Sequence, residues 1–165
     1  MTPLITIFSA PKPFTNPHIA AIQRNAVRSW LALGEAVEVL LLGDEEGLPQ
    51  AADELGVRLI QEVRRNAKGT PLVSSLFELA RQHSSSPLLA YVNADILLLP
   101  DFVSSAQALQ ATAKPFLAVG QRWDLEVTGV LDFGKGWVAE LRQKIHANGS
   151  LHPPAGSDYF LYPRD

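Results

Sequence analysis

The sequence contains no cysteine, which removes disulfides, thiolate nucleophiles and Cys-ligated zinc or iron–sulfur centres together. It has no glycine-rich dinucleotide fingerprint after its first apolar run and no phosphate-binding P-loop. Gly134-Lys135-Gly136 has neither the glycine spacing nor the following hydroxyl. His18, His83, His146 and His152 show no zinc-binding spacing and read as surface or loop residues, and there is no Gly-x-Ser-x-Gly nucleophile elbow. No run is basic: 8 basic and 10 acidic residues precede position 101, then 6 and 7 follow. The net charge of -3 carries no stripe for tracking nucleic-acid phosphates. The most apolar segment, Leu88 to Leu99, is interrupted by Asn93 and Asp95 and is shorter than the ~20 residues of a membrane span. The N-terminus has no basic region ahead of its apolar stretch and reads as a strand rather than a signal peptide. The expectation is a soluble, cytoplasmic protein.

What is present is a globular composition, 47% hydrophobic and 19% charged over 165 residues, sized for one domain. Leu4 to Ser9 reads as a strand. Asn16-Pro17 supplies a cap and a first-turn proline for a helix whose stripe is Ile19, Ile22, Ala26, Trp30 and Leu33, with Gly34 as its stop. Val37 to Leu42 reads as a strand buried on both faces. Pro49 to Leu55 is a short helix closed by Gly56, and Val57 to Val63 is a third strand. Thr70-Pro71 repeats the cap signal ahead of Leu72, Leu76, Leu79 and Ala80. Leu88 to Val92 is a fourth strand, and a helix from Asp101 carries Phe102, Ala106 and Leu109. Phe116 to Val119 is a fifth strand. This alternation predicts an α/β fold with a mainly parallel central sheet and helices on both faces. Beyond residue 120 the rhythm weakens. Leu125 to Val130 reads as an antiparallel edge strand and Gly136 to Ala147 as a helix stopped by Gly149. A final strand near Tyr159 to Tyr162 has no downstream partner, as though the chain ended in mid-architecture. An exposed edge there would invite a homodimer.

Ligands of open parallel sheets bind beyond the carboxyl ends of the strands. Those ends carry Ser9-Ala10-Pro11, Gly43-Asp44, the basic loop from Arg64 to Gly69, and Asn93-Ala94-Asp95. If the fourth strand continued through them, Asn93 and Asp95, two apart, would face the same side. They would offer oxygen ligands to a hard cation such as Mg or Mn. The alternative is that they close the strand and bond a turn. Arg122, Trp123 and Asp124 read either as the lining of a sugar pocket, with Trp123 stacking, or as a core tryptophan beside a surface ion pair.

The order of elements, with Asn93-Ala94-Asp95 after an apolar fourth strand, resembles the nucleotide-diphospho-sugar transferases of the GT-A glycosyltransferase fold. The resemblance covers about residues 4 to 125. It implies a Rossmann-like sheet and metal-dependent sugar transfer from a nucleotide-diphospho-sugar donor to an unknown acceptor. Asn93-Ala94-Asp95 then stands where the family has Asp-x-Asp, so Asp95 and Asn93 would hold the divalent metal, Asn93 as a neutral ligand in place of the first aspartate. Ser9, Ala10, Pro11 and Asp44 would meet the nucleoside, and Arg65, Asn66 and Lys68 the base or phosphates. The family's catalytic domain is usually longer, so the resemblance implies a nucleotide-binding half over about 1–125 and a partial, truncated acceptor-side half over about 126–165. Asp158 in Gly156-Ser157-Asp158-Tyr159 is then the candidate base, or else a solvated turn residue. A non-catalytic relative that binds a nucleotide or a protein partner is the alternative. A nucleotidyltransferase is disfavoured by the glycine-poor loop after the first strand.

Overall fold

Alternation in β1 (Ile5–Ser9) sends Ile5 and Ile7 into one core cluster and Phe8 into another. Both β2 (Val37–Leu42) and β4 (Leu88–Val92) pair with β1 in parallel, Ile7 lying between Val39 and Ala90. The short β3 (Arg58–Ile60) extends the parallel set from β2. Two further strands complete the sheet, β5 (Ala118–Val119) and β8 (Tyr159–Pro163), in the order β3-β2-β1-β4-β8-β5. Strand β8 alone reverses direction, antiparallel to both β4 and β5. A separate antiparallel pair joins β6 (Trp123–Asp124) to β7 (Ser150–Leu151). This is a computed structural model, and it describes residues 2–165.

The helices cover both faces, as a mainly parallel sheet requires. Helix α1 (Pro17–Leu31) starts as the sequence predicts: the Asn16 side chain accepts from the amides of His18 and Ile19 at 2.9 and 3.1 Å, and Pro17 occupies the first turn. Its Ala26, Val27 and Trp30 share a core with α2 (Leu48–Leu55), α4 (Asp101–Ala111) and strand residues including Ile5, Ile7 and Val92. On the other face, α3 (Val73–His83) sets Leu76 and Ala80 against Phe8, Leu40 and Leu89. Phe77 there meets Phe8 edge-on at 5.1 Å and stacks on Tyr162 at 5.6 Å. Helix α5 (Trp137–Asn148) buries only Leu141 fully. Among the described residues, no helix is long and apolar enough to cross a membrane.

The sheet corrects several sequence expectations. The final strand is no free edge, because β8 is hydrogen-bonded to β4 on one side and β5 on the other. The dimer expected through that edge therefore loses its structural basis. Leu125 to Val130 forms no strand, and the pairing falls on Trp123–Asp124 instead. The Thr70-Pro71 signal belongs to a loop: the Thr70 amide donates to Asn66 Oδ1 at 3.0 Å, Pro71 bridges to Arg65, and α3 begins only at Val73. Gly34, at φ +82°, opens a short 3-10 turn after α1 has ended on Ala32. Strands expected over Val57 to Val63 and Phe116 to Val119 shorten to β3 and β5.

Candidate functional site

Parallel pairing brings the carboxyl ends of β1, β2 and β4 to one rim. At the end of β1 the Ser9 hydroxyl donates to the Val92 carbonyl at 2.6 Å, tying the rim of β1 to that of β4. Ala10 packs against the α3-side core and Pro11 is buried, so these residues shape the rim through backbone rather than free side chains. After β2, exposed Asp44 forms an ion pair with Arg65, which also reaches Glu45 at 2.8 Å and the Gly69 carbonyl at 2.8 Å. Bonds to Glu45 and then Asp44 hold the Arg65 guanidinium above its ordinary pKa. Asn66 organises the same loop by accepting from the Lys68 amide at 2.9 Å, and the Lys68 residue is exposed.

Strand β4 stops at Val92, and Asn93 to Asp95 fold into a turn closed by the Ile96 amide on the Asn93 carbonyl at 3.1 Å. Strand alternation therefore does not apply to Asn93 and Asp95. The Asn93 backbone amide donates to the Asp158 carbonyl at 2.9 Å and its side chain to Asp158 Oδ1 at 3.2 Å. Asp95 is exposed at the turn, with no hydrogen-bond or ion-pair partner among the described residues.

Asp158 is 6% exposed, and Arg122 Nη1 donates to both its oxygens, at 2.8 and 2.7 Å. Arg122 Nε donates to Asp124 Oδ1 at 2.7 Å, and His152 Nδ1 lies 2.7 Å from Asp124 Oδ2. The β6–β7 pair sets this spacing, since Asp124 faces Ser150 in register and the His152 amide donates to the Arg122 carbonyl at 2.9 Å. Bonds from Arg122 and then His152 hold the Asp124 carboxyl below its usual value, while Asp124 and Asp158 raise the Arg122 guanidinium. His152 was legible in the sequence only as a loop histidine, because its partners lie about thirty residues away.

A cavity of about 670 Å³ adjoins Asp95. Its walls come from α1 at Ile22, segment 95–99, the start of α4 at Phe102, segment 121–127, and α5 at Leu141 and Ile145. Segment 121–131 is fastened at both ends. Arg122 holds one, and Asn25, 1% exposed, holds the other by donating to the Gly129 carbonyl at 2.7 Å and accepting from the Leu131 amide at 2.9 Å. Asp95, Asp158 and Arg122 to Asp124 line the cavity, with Trp123 half-exposed; Ser9, Ala10, Pro11, Asp44, Arg65, Lys68 and Asn93 stand outside it. The structure thus joins Asp44 to Arg65 and Asn93 to Asp158 as two separate groups.

Among the described residues, no group of three or more His, Asp or Glu side chains is placed to hold a metal ion. The free Asp95 carboxylate fits an ion bound through one protein carboxylate plus phosphate oxygens, a common arrangement for Mg-type cations. It does not make a closed protein cage.

No protein-family model matches the chain, and no curated protein matches its sequence. Solved structures do match. CMP:2-keto-3-deoxy-manno-octonic acid synthetase complexed with CTP aligns with a TM-score of 0.57 at 15% identity, over 100% of this chain and 75% of that one. Glucosyl-3-phosphoglycerate synthase from Mycobacterium tuberculosis, in complex with phosphoglyceric acid, gives 0.55 at 17% identity, over 98% and 57%. A putative nucleotide-diphospho-sugar transferase from Desulfovibrio desulfuricans gives 0.52 at 12% identity, over 100% and 65%. The protein thus spans only part of these chains, and 34% of a further match. The likenesses establish that the chain has a GT-A fold.

Proposed function

From a chain with a GT-A fold and one free carboxylate at the end of β4, we propose a nucleotide-diphospho-sugar donor site and metal-dependent sugar transfer to an acceptor, in a cytoplasmic setting. The nucleotide-binding half is about 1–125, and 126–165 contributes part of the acceptor side. The observation that carries this reading is Asp95, unpartnered in the turn after β4 and facing a cavity. Ser9 to Pro11 and the Asp44–Arg65 pair receive the nucleoside, while Lys68, on an exposed loop, approaches the phosphates. Asp95 would be the protein ligand of a Mn or Mg ion whose remaining ligands come from the donor. When bound, such an ion neutralises the charge that develops on the leaving group.

Asn93 plays a different part in this account from the one its motif position implies. Its side chain donates to Asp158 and so anchors the start of the turn that carries Asp95. Asp158 is occupied by Arg122 at both oxygens, which leaves it poorly placed to take a proton from an acceptor hydroxyl. That occupancy favours, as a second reading, a relative that binds the nucleotide without turnover.

A thermal-shift panel of nucleoside diphosphates and sugar nucleotides, with and without Mn, tests the donor site on wild type and Asp95→Ala. Ligand at a hundred times its Kd adds ~2.7 kcal/mol, which raises the midpoint of a domain this size by roughly 5–10 °C. A Mn-dependent rise with one nucleobase, absent in Asp95→Ala, is expected. Equal rises in both proteins contradict the assignment. Release of free nucleoside diphosphate from the responding donor then separates turnover from binding alone.

A further inference from the structure

The cavity beside Asp95 has the size of a small-molecule site, for which ~300–1,000 Å³ is usual, at about 670 Å³. Two features of its lining restrict what enters. Ile22, Leu97, Leu99, Phe102, Val127 and Ile145 provide apolar wall from five different parts of the chain. The charged lining is one-sided. Five carboxylates, Asp95, Asp101, Asp124, Glu126 and Asp158, stand against one guanidinium and one imidazole, those of Arg122 and His18; Arg122 pairs with Asp124 and Asp158, and Asp101 reaches Arg142 outside the lining. Acidic groups thus outnumber basic ones in the lining, and an incoming carboxylate or phosphate would meet mostly like charges across apolar walls. The fastening of segment 121–131 by Asn25 and Arg122 fixes one wall of this open cleft.

We infer that this cavity takes the acceptor, and that the acceptor is a hydroxyl compound with an apolar body and no negative charge. The assignment of the occupant as acceptor rests on the donor-site reading above. The apolar body lies against the Phe102 and Ile145 walls, and the hydroxyl comes to the Asp95 end, where the donor is proposed to sit. The carboxylate-rich lining selects against acidic acceptors by repulsion, so specificity arises from what the site rejects as much as from what it contacts.

The test uses amide NMR on the full chain at pH 7, with three probes: 1,2-octanediol, 2-hydroxyoctanoate and 1,2-ethanediol. The octanediol is expected to shift amides of 96–99 and 123–127. The hydroxyoctanoate, with a like-length body but a carboxylate, should need about tenfold or more higher concentration for the same response, and ethanediol should give none. Val127→Trp, which fills the cavity, should remove the octanediol response; Ile145→Trp, on the α5 wall, repeats the test if the first variant fails to fold. Asp101→Asn with Glu126→Gln should narrow the gap between diol and carboxylate. Shifts absent or centred elsewhere, or equal affinity for the carboxylate, overturn the inference. UDP, GDP and CDP with diamagnetic Mg, followed at the Asp95 amide, report the donor site separately. A nucleotide response without a diol response refutes the acceptor inference alone. A diol response without any nucleotide response removes the acceptor assignment together with the reading beneath it.

Discussion

Tyr159 crosses the backbone at Gly120 so closely that a Cβ there would sit 1.9 Å from its ring. Arg122 follows Gly120 by two residues and Asp158 precedes Tyr159, so this crossing sets the Arg122–Asp158 pair. Overpacking of this kind costs about 1–3 kcal/mol. Gly120→Ala should therefore lower the denaturant midpoint, whereas Gly129→Ala, with nothing within 4 Å of its added carbon, should not. Equal midpoints for the two variants would show that the crossing does not constrain the site. Asn25 works at the same scale. Its buried amide satisfies a carbonyl and an amide of segment 129–131, and loss of such a group costs about 1–3 kcal/mol. Asn25→Ala should speed hydrogen exchange at the Leu131 amide well beyond that of the β1 and β4 amides. Unchanged protection at Leu131 would mean that the segment is held by something else.

Among the elements, the β6–β7 pair carries the charge network, and its pH response follows from Asp124. The Asp124 carboxyl is held below its ordinary value of 3.8 by Arg122 and His152. A carboxyl with a depressed folded pKa adds stability that is fully present above its unfolded pKa and lost as pH falls through the folded one. Denaturant stability should thus fall on acidification below about pH 4, and less steeply in Arg122→Gln, where the depression is relieved. Parallel slopes in the two proteins would contradict the network's role. What the sequence showed of these elements follows from distance along the chain. Strands β1, β2 and β4 and the Asn16 cap are local patterns: apolar runs, and a side chain bonding amides two and three residues on. The insertion of β8 between β4 and β5 joins segments about seventy residues apart, and nothing in Tyr159 to Pro163 distinguishes an edge strand from an interior one. Asp95 was readable as a rim carboxylate from its place after an apolar run. The diversion of Asn93 to Asp158, and of His152 to Asp124, depends on contacts that no local period encodes.

At the scale of the molecule, the helices on either face leave all three tyrosines, Tyr91, Tyr159 and Tyr162, at least partly buried. Desolvation is the largest cause raising each phenol above its ordinary value of 10.0, with Asp95 adding to Tyr91 and Asp101 to Tyr159. Raised folded values give stability that is complete below the unfolded pKa and lost as pH climbs through the folded ones. Phenolate absorbance should therefore rise late, above about pH 10, and together with loss of the native fold; a tyrosine titrating near 10.0 in the folded protein would contradict the packing.

Asp95, as the single free carboxylate of the turn after β4, should bind a divalent ion only together with a nucleotide's phosphates. Paramagnetic broadening of amide signals by Mn tests it most directly. With Mn and the nucleoside diphosphate that responds in the thermal panel, signals around Asn93 to Ile96 should broaden first, and Mn alone should leave them sharp. Broadening by Mn alone, or broadening centred away from Asp95 when the nucleotide is present, would contradict the account.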